Sequence, residues 1–185
     1  MGLIIWNLLA KTERTIMFVT SILIVILVMI QVILRYVFKQ PIMGVEEMAT
    51  MLGFWMYFIG AANGSRERSQ IKADLLNVIV KNPKKLAFVK AGVTLFTLIM
   101  IAIMTNWTWN YVIWSLKTLE RSPSLGIPMI YSQMALFVSA VLMLLYTTVE
   151  FADYLLQLLG KRPLQVTMDM EEELFDTRDA KEDKG

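Results

Sequence analysis

The chain has 185 residues, a formal net charge of +2, a hydrophobic fraction of 56% and a mean hydropathy of +0.54, too apolar for a soluble domain of this size. It contains no Cys and no His, which excludes disulfides, His-ligated haem, Cys-ligated iron–sulfur clusters and the usual zinc sites, so no cofactor or metal is expected. Four continuous apolar stretches approach the ~20 helical residues needed to cross a hydrocarbon core of about 30 Å, predicting an all-α polytopic membrane protein; alternating strand patterns are missing from them.

Residues 2–9, GLIIWNLL, are too few to span and predict a short interfacial segment with Trp6 at headgroup depth. The first span is expected from Thr15 to Leu34. Lys11 and Arg14 ahead of an apolar run resemble a secretory signal, but no small-residue cleavage site follows, so the segment is read as a retained helix. Arg35 suits the negative end of that helix. Tyr36 and Phe38 add interfacial anchors, Pro41 stops the helix, and Gly44 is expected to permit the turn into the next.

The second span, Met48 to Ala62, is short and must use its flanks. Glu46 and Glu47 open it, where the helix dipole favours carboxylates by about 0.3–1 kcal/mol each. At 100° per residue, Glu46, Ala49, Gly53, Gly60 and Gly64 fall on one face and Glu47 points away. The face is a strip of small residues that lets a helix approach closely, either from the same chain or from another subunit. A carboxylate pair also permits catalysis or ion binding, but no third acid, His or Cys accompanies it. The reading preferred from the residues is structural, with Glu46 meeting Arg35 across the turn and Glu47 facing a partner or water.

From Ser65 to Leu86 the chain is basic, yet Ile71, Leu75, Val78 and Ile79 share one helical side, predicting an amphipathic helix on the membrane surface held in part by anionic lipid. The third span, Ala91 to Leu116, carries Trp107, Trp109, Tyr111 and Trp114 near its far end. These form an aromatic belt or, on a sharper reading, an aromatic substrate box. SPSLGIP, residues 122–128, is a turn before the fourth span, Ile127 to Val149, which closes with Glu150, Asp153 and Tyr154. Residues 1–160 thus read as a four-helix membrane domain. Residues 161–185 read as a disordered tail, since 168–185 hold 8 acids against 3 bases.

Orientation follows from Lys and Arg. The N-terminal flank, the loop after the second span and the tail together hold 14, whereas the two opposite turns hold 4 (Arg35, Lys39, Lys117 and Arg121). The positive-inside rule therefore predicts both termini in the cytoplasm.

Two stretches, RYVFKQPIMGVEEMATMLGFWMYFIGAANGSRERSQIKAD and SPSLGIPMIYSQMAL, resemble the small membrane subunit of tripartite ATP-independent periplasmic (TRAP) transporters, the DctQ family. The resemblance rests on Arg35-Tyr36, Phe38, Pro41, Glu46-Glu47, the aromatic run about Trp55, Gly60-Ala61-Ala62, Arg66, and Ile71 with Asp74. The chain departs from the family at Gln70, Val45 and Phe137, where members often have His, Trp and Pro. What the resemblance implies is a partner to a large membrane permease subunit and a periplasmic substrate-binding protein, in sodium-coupled organic-acid uptake at the bacterial inner membrane. Arg35, Glu46, Glu47, Gly53, Gly60, Gly64 and Arg66 are the candidate structural and partner-contact residues, and no nucleic-acid partner is expected.

No apolar span contains Asp, Glu, Lys or Arg between its ends, whereas ion and proton pathways through a bilayer usually need such groups. An accessory scaffold is therefore favoured over a self-sufficient small oligomeric transporter, and also over a membrane enzyme, for which only the Glu pair offers chemistry.

Overall fold

The computed structural model describes residues 2–40, 42–66 and 83–159, and those residues are all-helical apart from the turns. Four helices follow one another: α1 (Gly2–Tyr36), α2 (Met43–Arg66), α3 (Pro83–Thr118) and α4 (Ile130–Leu158). At 1.5 Å per residue even α2, the shortest at 24 residues, is about 36 Å long. The expected amphipathic helix over 65–86 and the acidic tail fall largely or wholly outside the described residues.

Among the described residues, three helices are both long and apolar enough to cross a membrane: α1, α3 and α4. α2 is long enough but more polar, because Glu46, Glu47, Asn63, Ser65 and Arg66 lie within it. Its position explains the tolerance. The substantial packing runs α1 on α2, α2 on α4, and α4 on α3, so α2 has a helix on each of two sides. Only 11% of the most apolar window of α1 or α3 is buried within the chain, against 28% for α4.

Several sequence expectations shift. Residues 2–9 are not a separate surface segment: α1 runs unbroken from Gly2, and Trp6 packs edge-on against Tyr146 of α4 with ring centroids 5.0 Å apart. The basic residues Lys84, Lys85 and Lys90 lie inside α3, which starts at Pro83, where a missing N–H costs nothing. The turn after α1 is made by Lys39 at φ 53°, not by Gly44. The amides of Val37 and Phe38 fold back onto the Ile33 carbonyl to close the helix end.

The α2–α4 seam is closely packed. Ala62 and Ala135 are fully buried, and Ile59 and Ser139 nearly so. Such small side chains let the backbones approach, and the Ser139 hydroxyl donates across the seam to the Phe58 carbonyl at 2.5 Å. The glycine strip plays a lesser part than its spacing suggests. A methyl group at Gly60 would meet only Met17 of α1 at an ordinary 3.6 Å, and one at Gly53 would meet nothing within 4 Å. The close approach belongs to Gly44, where a Cβ would come within 2.7 Å of the Leu125 side chain in the α3–α4 turn.

Candidate functional site

Polar chemistry gathers at the two ends of the helix row, with α2 contributing to both. At the end formed by the α1–α2 and α3–α4 turns, Leu119 at φ 49° stops α3 in the left-handed cap conformation. The chain then folds into a closed loop. Ser122 N–H donates to Ile127 at 2.9 Å, Gly126 N–H to Ser122 at 3.1 Å, and Met129 N–H to Glu120 at 2.9 Å. The loop directs three donors at one carboxylate. The Ser122 hydroxyl and the Leu125 amide (3.1 Å) donate to one oxygen of Glu47, and the Ser124 amide donates to the other at 2.9 Å. Consecutive amides aimed at an anion form a concave nest. The Ser122 hydroxyl, with help from the two amides against some desolvation, holds the Glu47 carboxyl below its ordinary range.

Glu47 was expected to face a partner or water and Glu46 to hold Arg35. The geometry reverses the emphasis. Glu47 locks the N-terminal turn of α2 to the α3–α4 turn, and Gly44 makes room for Leu125 in the same contact. Glu46 is exposed and accepts from the buried Gln31 amide of α1 at 2.9 Å, while Arg35 is exposed and makes no ion pair with it. Gln31, Arg35 and Glu46 nevertheless line one cleft of about 410 Å³ between α1 and α2.

At the opposite end three helices converge on a buried charge cluster. Arg66, the last residue of α2 and only 5% exposed, faces Glu13 of α1 at 3.6 Å and donates to Asn63 at 2.9 Å. Glu13 is as deeply buried and accepts from the Tyr146 hydroxyl of α4 at 2.5 Å. The spacing of Tyr146, Glu150, Asp153 and Tyr154 puts all four on one face of α4, and all four are buried. Arg66 was expected to matter and Asp153 was expected only as part of the close of the fourth span; Glu13, Tyr146 and Gln31 were not singled out. Among the described residues no group of acids is arranged to hold a metal ion.

The aromatic residues of α3 do not form a box. Trp107, Trp109, Tyr111 and Trp114 are all exposed; Trp109 meets Phe137 of α4 at 5.2 Å between ring centroids, and Tyr111 accepts from Gln133 of α4 at 3.1 Å.

The model of the DctQ component of tripartite ATP-independent periplasmic transporters matches residues 24–157, a span that holds the Glu47 clamp, Arg66 and all of the α2–α4 seam. The chain belongs to the DctQ family. No curated protein matches it in sequence. Membership makes it the small membrane component of a TRAP transporter, an integral membrane protein, and implies a large permease subunit and a periplasmic binding protein as its associates. It also assigns the chain to transport rather than to an enzyme family. Glu13 lies before the matched span, so the DctQ match does not reach α1's half of the ion pair.

Two substitutions test these ends. Glu47→Gln should reduce hydrogen-exchange protection of the Ser124 and Leu125 amides, whereas Glu46→Gln should leave it intact; equal loss in both would contradict the clamp. The clamp should also loosen as pH falls below the carboxylate range, because a depressed folded pKa stabilises at higher pH and that gain disappears on protonation.

Arg66→Met strands the buried Glu13 charge, and losing one member of such a pair costs about 3–5 kcal/mol. The thermal midpoint in detergent should drop sharply, and the double variant Glu13→Gln/Arg66→Met should recover part of the loss. No recovery would mean that the two side chains act independently.

Proposed function

We propose that this DctQ-family chain translocates nothing itself and serves as a rigid membrane block that steadies the large permease while part of that subunit moves. The observation that carries the reading is the distribution of charge. Glu13, Arg66, Glu150 and Asp153 are buried at one end and Glu47 is clamped at the other, while the spans between contain no Asp, Glu, Lys or Arg. Buried charges at helix ends fix helices relative to one another, whereas a coupling-ion route needs polar groups at mid-membrane. The long exposed flanks of α1 and α3 supply surface for packing against another subunit or lipid.

In this reading the assembled transporter takes up an organic acid, delivered by the binding protein and coupled to sodium, across the bacterial inner membrane. All four helices span. The basic bias of 14 against 4 puts both termini in the cytoplasm and the two turns in the periplasm. The segment between α2 and α3 lies on the cytoplasmic surface as an amphipathic helix, and the acidic tail is dispensable.

Single cysteines in place of Leu119 and Leu159, both more than 70% exposed and at opposite helix ends, should label from opposite sides of the membrane with an impermeant reagent. Labelling from one side would end the topology. Reconstituted alone in liposomes, the chain should show no sodium-dependent organic-acid uptake. Uptake should appear when the large subunit and binding protein are added. Uptake by the chain alone would replace the scaffold reading with a small self-sufficient transporter.

A further inference from the structure

The cleft between α1 and α2 at the turn end has the make-up of a ligand site that the packing of this chain does not use. Gln31 is the deepest polar group in it. Its side chain is 8% exposed, its amide nitrogen donates to Glu46, and its amide oxygen is buried with no hydrogen-bond partner. An orphaned acceptor is expensive in a lipid-facing interior, so its retention points to a donor supplied from outside. One turn along α1 is the exposed Arg35, and across the cleft is Glu46. Lined also by Tyr36 and Thr50, the cleft offers one cation, one anion and the unpartnered Gln31 acceptor within about 410 Å³. Deeper along α1 its wall becomes apolar through Leu27 and Val28.

The geometry points to a phospholipid with a primary ammonium headgroup, phosphatidylethanolamine, as the occupant. The Arg35 guanidinium matches the phosphate bidentately. The ammonium carries three N–H donors, and the Gln31 oxygen and the Glu46 carboxylate supply acceptors for them. An acyl chain continues along Leu27 and Val28. The charge balance separates this lipid from its competitors. An anionic headgroup such as phosphatidylglycerol satisfies Arg35 but meets the Glu46 charge unfavourably. Phosphatidylcholine has the right net charge, but its quaternary ammonium has no N–H to give Gln31. A helix of another subunit is the rival occupant, and the opposed charges favour a zwitterion over a predominantly apolar helix surface. The inference does not depend on what the transporter carries.

The test uses the full chain, delipidated in mild detergent, with dioleoyl phosphatidylethanolamine, phosphatidylcholine or phosphatidylglycerol added in turn and bound lipid counted by native mass spectrometry. Phosphatidylethanolamine should be retained about tenfold more than either of the others, the scale of one well-formed charged hydrogen bond. Arg35→Ala and Glu46→Gln, both at exposed positions, should each erase that preference, while Lys39→Ala should keep it. Equal retention of the three lipids, or a preference that survives both variants, would overturn the site. So would a cysteine in place of Val32 that crosslinks to the large subunit in the assembled transporter, together with loss of retained phosphatidylethanolamine, since a protein helix would then fill the cleft.

Discussion

A guanidinium buried at the end of a membrane helix must be met by negative charge and acceptor oxygens, and the rest of this fold is arranged to meet Arg66. The Born cost of placing such a charge in a low-dielectric interior reaches several kcal/mol even after relaxation, so the partners cannot be left to chance. Glu13 comes from α1, Asn63 from the preceding turn of α2, and Tyr146 of α4 joins them by donating to Glu13. Satisfying one residue thus sets the axial register of three helices. Trp6 on Tyr146 extends the same contact and explains why α1 runs well past the apolar span.

The other end of α2 is fixed by the opposite sign of charge. Glu47 needs donors, and the α3–α4 turn supplies a hydroxyl and two amides while Leu125 seats against Gly44. Since α3 is joined to α4 by that turn and packs along it, the clamp transmits the position of α2 to the far side of the row. A helix held at both ends and sealed along its length by Ala62, Ile59, Ala135 and Ser139 has little freedom to tilt or slide. Rigidity of that kind suits a block against which another subunit moves.

Much of this was legible in the sequence. Apolar run length, the Pro-containing turns and the paired acids located the helices, and the two stretches that resemble the DctQ family, around Glu46-Glu47 and around SPSLGIP, are the ones that meet in the Glu47 clamp. The roles of the two acids were not legible. A helical wheel gives the angle between Glu46 and Glu47 but not which neighbour stands on which side, and that depends on the packing order α1–α2–α4–α3. Glu13 was hidden for a different reason: it sits within KTER, where two basic residues dominate a count made for topology. Gln31 did carry a signal, as the only amide in the first apolar span, where an uncompensated polar group is costly.

The glycines of α2 show where spacing and packing part company. A small-xxx-small pattern is drawn from helix pairs in which two backbones touch, yet Gly53 faces open space and Gly60 has room for a methyl group. The tight seam instead uses alanine and serine, which keep better helical propensity than glycine while still permitting close approach, and serine adds a hydrogen bond to the neighbouring backbone. The cleft at Gln31 lies on the α1–α2 side of the row, where the two helices are joined by Glu13–Arg66 at one end and by Gln31–Glu46 at the other. The cleft leaves an opening beside Gln31 between the two helices, and a lipid that bridges Arg35 and Glu46 would close it without moving either helix.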